Sequence, residues 1–393
     1  MESSNQAAAS SHGVLPPEVL FDILLRLPAK ELCRLRVVCP PWRSLTLDPV
    51  FIKAHTQRHP GPLIVASFAG DDPEHVHVMD LSGHVVKRLP VPGNHTMLSS
   101  RLDLVCVANK DGSCFAINPA TAAVSHLLEL EAPPESEDDE WDCYEHYSDS
   151  SGCVEYEHSE FAVGRVDSTG EYKVLRLASS CKTWEEHHDV YLVSSVLTIN
   201  GVGGWRSTES PEFIADIGRD HSSVVVGKAI YFLWYDDHPW AAMQCISCFD
   251  LDAEKWTTHP GPNPEDDDDD DNIDHYASMC ASTLAELKGY LVLAHNRGRH
   301  SSLDLWFLRD TENSLWVKEY SIGASVMPTK QVFEMIPLLL LDDGRIVFFR
   351  GKKGVLLVFD PRTNVFSVME TRCLREVSLY TGSLLSLQRV AGV

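Results

Sequence analysis

Apolar positions along the chain follow two periods, and the period changes once. Between residues 14 and 59 the spacing is helical. Leu20, Ile23, Leu24 and Leu27 recur at i, i+3, i+4 and i+7, which is one face of a helix. Leu15 stands just before Pro16 and Pro17, where a helix accepts proline at its start, and Glu18 suits the positive end of the helix dipole. Pro28 stops the run. A second short helix has Leu32, Leu35, Val38 and Cys39 as its apolar set, and Trp42 and Leu45 mark a third. The pair Pro40-Pro41 predicts that one helix ends near Cys39 and the next starts at Pro41. Short helices over so few residues cannot bury enough surface to stand alone. Something else must cover part of them, either the rest of the chain or a partner protein.

From residue 62 onward the period shortens to that of strands. Short apolar runs end in Asp or Asn, turn, and return with an apolar residue at fixed register. Asp80 to Val86, Asn118 to Val124, Asp250 to Trp256, Asp310 to Trp316 and Asp360 to Phe366 are each six residues apart. A carboxylate or amide at the strand end can bond the turn backbone, and the returning apolar residue is expected to face the core. A weaker copy runs from Val193 to Trp205. Most intervals also hold a second hairpin, such as the one around Gly344, so the unit has four strands. Repeats of four strands with this length predict a β-propeller. The count gives six blades, with five or seven also fitting the spacing and a two-sheet sandwich as the alternative fold.

Composition narrows the class. The 393 residues are 44% hydrophobic, which suits one large domain and one small one. A net charge of -24 argues against nucleic acid or an anionic membrane as direct partner. Residues 1–13 are polar and Ser/Ala-rich and read as a flexible tail with no export signal. The expected location is therefore the cytoplasm, the nucleus or both, with the eleven cysteines reduced. Two acidic stretches, 129–160 and 263–275, are too densely charged to pack and read as loops that leave the repeats.

Candidate chemistry is sparse. Cys245-Ile-Ser-Cys248 lies in an expected strand, where an odd spacing sends the two thiols to opposite faces. His75 and His77 share a strand face, but no third metal ligand is indicated. Gly201 to Gly204 form a hairpin turn with no helix after it, so they do not cradle phosphate. No catalytic constellation, metal site or cofactor is expected.

Leu15-Pro16, Leu27-Pro28, Val38-Cys39 and Trp42 match, in order and spacing, the pattern of an F-box, and the segment 14–59 resembles that family. The departure is at Pro40 and Pro41, where the family tends to have Lys and a variable residue. Residues 161–175, 303–310 and 338–346 resemble the plant F-box-associated, kelch-like repeat, and this likeness extends over most of 62–390. The resemblance implies a mainly β protein: a propeller of about six four-stranded blades behind a small α-helical F-box. It also implies a non-catalytic substrate receptor of an SCF-type cullin-RING ubiquitin ligase. Its partners would be a Skp-family adaptor, the cullin and RING subunit reached through that adaptor, and a target protein. The adaptor-binding residues carried over are Leu15, Pro16, Leu20, Ile23, Leu24, Leu27, Pro28, Leu32, Val38 and Trp42. For the target, Trp240, Arg297 and Arg299 offer anchors of the kind that dominate interfaces. The alternative is a propeller enzyme or carbohydrate-binding lectin whose helical N-terminus is structural.

Overall fold

The computed structural model describes residues 15–385, apart from 110–112, 129–154, 200–203, 212–222, 234–244, 263–281, 298–301, 329–334 and a few single residues and pairs. Both acidic stretches lie wholly or largely outside the described residues, as do residues 1–13. The chain divides into two compact units. One comprises Met1–Gly61 together with Ser383–Gln388, and the other holds Pro62–Gly382. The course expected for 62–390 is thus broken near its end. Among the described residues no helix is long and apolar enough to cross a membrane.

The larger unit is a propeller of six sheets among the described residues. Sheet two consists of His95–Met97, Val105–Asn109, Cys114–Ile117 and Val124–Leu128. Sheet three runs Glu155–Arg165, Tyr172–Trp184, His187–Thr198 and Arg206–Thr208. Sheet four is Ser223–Val226, Ala229–Leu233, Cys245–Asp250 and Lys255–Pro260. Sheet five is Ser282–Leu287, Tyr290–Arg297, Ser302–Asp310 and Leu315–Ile322, and sheet six Met335–Leu340, Ile346–Arg350, Val355–Asp360 and Val365–Val368. Sheet one takes Leu63–Phe68, His75–Met79 and Val85–Pro90 from the start of the unit and its remaining long strand, Leu374–Tyr380, from the end.

Packing explains why so many strands read as continuous apolar runs rather than alternating ones. Core clusters form between successive sheets, so both faces of a strand are buried. Phe161, Val163 and Val174 of sheet three meet Cys106 and Cys114 of sheet two. On its other face, Ala162, Leu175 and Val196 meet Ile230, Phe232 and Phe249 of sheet four. The Cys245–Cys248 pair divides as the spacing predicts: Cys245 packs on that cluster, and Cys248 on the next one, with Leu284 and Leu293 of sheet five. Burial pushes the Cys248 thiol up, away from reactivity. An ionic contact ties sheets three and four as well. The Lys173 ammonium donates to the Leu251 carbonyl at 2.5 Å and lies 2.8 Å from the Glu254 carboxylate. Burial alone would raise Glu254, but Lys173 and Arg206 outweigh it and hold this carboxyl below its ordinary range.

The repeated Asp/Asn turns are real. Oδ1 of Asn118 accepts from the backbone N–H of Ala120 and Thr121 at 2.8 and 3.3 Å. Asp250 does the same with Asp252 and Ala253, and Asp310 with Glu312 and Asn313. Asp360 accepts from Arg362, and Asp80 from Ser82 and His84. Four of these turns also share a left-handed residue four places after the anchor: Ala122, Glu254, Ser314 and Asn364, with φ between 50 and 61°. The apolar register holds for Trp256, Trp316 and Phe366, which pack on the inter-sheet clusters. It fails at two places. Val124 is exposed at the start of an outer strand, and in sheet one an irregularity after Val78 pairs Met79 with Val85 instead of Val86. Trp205 likewise falls just before its strand, which starts at Arg206.

A left-handed residue with a Cβ costs roughly 1–2 kcal/mol that glycine avoids, set against the extra unfolded-state entropy of glycine. Ser314→Gly is therefore expected to raise stability by about 0.5–1 kcal/mol. A thermal melt checks it, and an unchanged or lower midpoint would contradict the turn geometry.

Ring closure uses the C-terminal strand. Leu374–Tyr380 runs antiparallel to Leu63–Phe68, pairing Leu63 with Tyr380, Ile64 with Leu379 and Ala66 with Val377. Its start is pinned by Arg372, whose guanidinium donates to both carboxylate oxygens of Asp71 at 2.8 and 2.9 Å and lies 3.9 Å from the Phe68 ring centroid. The Arg372 bond holds the Asp71 carboxyl below its usual value. Gly354 lies against the same strand at φ +60°; a Cβ there would stand 2.3 Å from the Leu374 carbonyl oxygen.

Candidate functional site

Four helices make up the start of the smaller unit: α1 (Pro17–Leu24), α2 (Ala29–Leu35), α3 (Pro40–Leu47) and α4 (Pro49–Arg58). Proline sets three of their starts, because the first helical residue needs no N–H partner. α2 ends at Leu35, four residues before the expected Cys39, and the double proline opens α3 at Pro40, one residue earlier than expected. Asp48 caps α4, its Oδ1 accepting from the Val50 N–H at 2.7 Å. After α1 the chain turns, and two histidines of the α4 region bond that turn: His55 Nε2 donates to the Leu27 carbonyl at 2.9 Å and His59 Nε2 to that of Leu25 at 3.0 Å. Burial lowers the His55 pKa and outweighs the bond to the Leu27 carbonyl, which acts the other way.

The apolar residues of this unit separate into two sets. Leu24, Leu32, Phe51 and Leu385 form its core, with Phe21 edge-on to Phe51 at 5.1 Å. Leu20, Leu27, Leu45 and Trp42 pack half-buried around them. The second set faces outward. Leu15, Val19 and Ile23, four residues apart, are 50, 42 and 44% exposed, and Val37 and Val38 are 89 and 58% exposed. Val50 is exposed too. Helical geometry places residues four apart on one side, so Val19 and Ile23 share one face of α1, and Leu15 stands just before the helix.

The expected adaptor-binding residues therefore fall into different roles. Leu15, Ile23 and Val38 present apolar surface, with Pro16 and Pro28 also exposed. Leu20, Leu27 and Trp42 are half-buried supports. Leu24 and Leu32, at 1 and 0% exposure, are core residues of the unit. Val19 and Val37, not among those residues, belong to the exposed set as well. The four-residue spacing of Val19 and Ile23 is a readable signal for the first, whereas nothing local marks Val37. Of the expected target-binding residues, Trp240 and Arg299 lie outside the described residues. Arg297 ends a strand of sheet five, and its side chain is not among those described.

Elsewhere in the propeller, sheet five carries a polar row that the sequence reading overlooked. Ser282, His295, Asp304 and Ser321 pair in register across its four strands. The Ser282 hydroxyl bonds His295 Nδ1 at 2.9 Å, and the Ser321 hydroxyl donates to Asp304 at 2.6 Å. Lys318 Nζ lies 3.5 Å from the same buried carboxylate. These are the residue types of a hydrolytic triad. Asp304 also meets Ser321 and Lys318, and both Ser282 and Asp304 are buried. His77, one of the two strand histidines, is buried with Nε2 3.8 Å from Asp71. Among the described residues no group of three or more His, Cys, Asp or Glu could hold a metal ion.

Comparison with known proteins agrees with this two-part organisation. A family model described as an F-box associated beta propeller domain matches residues 154–380, and one described as F-box-like matches residues 12–57. The chain is similar to the Arabidopsis thaliana F-box protein At5g18160, 25% identical over 395 residues that cover 94% of this chain and 87% of the relative. It is also similar to the F-box/kelch-repeat protein At3g23880 of the same plant, 22% identical, covering 91% of this chain and 90% of the relative. Among solved structures, a chain of a nidogen/laminin complex aligns with 81% of this chain and 98% of its own at a TM-score of 0.41 and 8% identity.

Proposed function

Because this chain belongs to the F-box associated beta propeller family and carries an F-box-like segment ahead of the propeller, we propose that it is the substrate receptor of an SCF-type ubiquitin ligase. The helical unit docks a Skp-family adaptor, which links it to the cullin and RING subunits, and the propeller holds the target protein. The chain itself performs no bond chemistry. It raises the effective concentration of target lysines beside the charged conjugating enzyme.

One observation carries the docking half of this reading. The unit already fills its own core with Leu24, Leu32, Phe51 and Leu385, yet leaves Leu15, Val19, Ile23, Val37 and Val38 in water. Exposed apolar groups of that density on so small a unit mark an interaction surface. An apolar helix face fits an apolar groove on a partner through the same spacing of anchors.

Val19→Glu combined with Ile23→Glu is expected to weaken adaptor binding by at least about 100-fold, since two central apolar anchors are replaced by charges that would be buried. The melting temperature should not change, because neither side chain is in the core. Titration of purified adaptor against both proteins measures the effect. Undiminished binding by the double variant would refute docking through this face.

A further inference from the structure

The helical unit is not made from the N-terminal residues alone. Leu385, fully buried, is the fourth member of the core that Leu24, Leu32 and Phe51 begin. Polar contacts fasten the segment that carries it. Arg36 Nη2 donates to the Leu385 carbonyl at 2.8 Å, and the Cys33 thiol points to the Leu384 carbonyl at 3.7 Å. The Ser383 hydroxyl accepts from the Leu385 N–H at 3.2 Å. The same Arg36 guanidinium reaches the Thr46 carbonyl at 3.0 Å and the Thr46 hydroxyl at 3.3 Å. One side chain thus joins the end of α2, the third helix and a segment 349 residues away in sequence.

The place of these contacts matters. Val37 and Val38, exposed, follow Arg36 directly, and Ile23 precedes the buried Leu24. What seats Arg36 and Leu24 therefore sets where the outward apolar residues stand. Without Leu385 the core of Leu24, Leu32 and Phe51 would face a void or water, and small cores tolerate that poorly.

We propose that the segment Ser383–Leu385 is a working part of the adaptor-docking module, with Leu385 and Arg36 as positioning residues for the docking face. This rests on the adaptor reading above. The module is then discontinuous: its helices are the first residues of the chain, and its last core residue follows the ring-closing strand Leu374–Tyr380 by only a few positions. A chain that stops before Leu374 has neither a closed ring nor a complete docking module, so adaptor binding is reserved for chains made past Leu385.

The test uses the full chain and purified Skp-family adaptor. Leu385→Ala, Leu385→Asp and Leu385→Met are compared with the parent by titration calorimetry, and amide exchange is followed in α1 and α2. Alanine is expected to weaken binding by about tenfold or more and aspartate to abolish it, while methionine, close in volume, keeps it within about threefold. Exchange at Leu24 and Leu32 should quicken with alanine and aspartate and stay slow with methionine. The melting of the propeller should be the same in all four proteins. Full affinity of Leu385→Asp, or unchanged exchange in α1 and α2, would overturn the proposal. If the parent itself fails to bind the adaptor, the ligase reading is what fails and the docking role of this segment falls with it. In that event the exchange data still decide whether Leu385 belongs to the helical core.

Discussion

Removing residues 374–393 is expected to abolish cooperative melting of the propeller and to drive the protein into aggregates. The deletion takes away Leu374, Val377, Leu379 and Tyr380, all buried in sheet one or its seam. Full burial of such side chains contributes about 1.5–3 kcal/mol each. Four of them make roughly 6–12 kcal/mol, which is comparable to the whole stability of an ordinary domain. The backbone loss adds to this. Leu63–Phe68 would lose its pairing along the full strand and become an open edge, ready to pair with another molecule. The deletion also removes Leu385, so a second variant isolates the ring. Val377→Asp leaves the helical unit intact and places a charge opposite Ala66 inside the seam. Size-exclusion chromatography with light scattering and a thermal melt read both variants. A truncated protein that elutes as before and melts at the same temperature would show that the ring is closed by something else.

Leu24→Asp is expected to unfold the helical unit, whereas Ile23→Glu, one residue away, is expected to leave it folded. A unit of this length holds roughly 3–8 kcal/mol. Losing a buried leucine costs about 2–5 kcal/mol as alanine, and a buried carboxylate costs more. Aspartate at 24 therefore consumes the stability of the unit, while glutamate at 23 points into water. Both variants should bind the adaptor more weakly, for different reasons. Amide exchange separates them: protection in α1, α2 and α4 should vanish in Leu24→Asp and persist in Ile23→Glu. Equal protection in the two would show that Leu24 is not the keystone its burial implies.

How much could be read in advance follows from how local each interaction is. The Asp and Asn turns are made within a few residues, so a carboxylate at fixed distance from an apolar partner announced them, and with them the hairpins and the four-stranded repeat. The helices of the first unit were legible for the same reason, since proline and leucine spacing act over one or two turns. Other features depended on contacts that leave no periodic trace. Ile23 and Leu24 are equally apolar neighbours, and only the packing of Phe51 and Leu385 decides which is core and which is surface. Val37 faces water because the chain turns after Arg36, a turn that Thr46 and Leu385 hold from elsewhere in the sequence. The polar row of sheet five is set by the register of three strand pairings, and the residues themselves are scattered. The sequence alone thus determined the two classes of element, their order and the repeat, because short-range hydrogen bonding and side-chain period are written residue by residue. Only the tertiary structure decided which apolar face of the helices stays open and that the far end of the chain completes their core, because burial is a property of what arrives from hundreds of residues away.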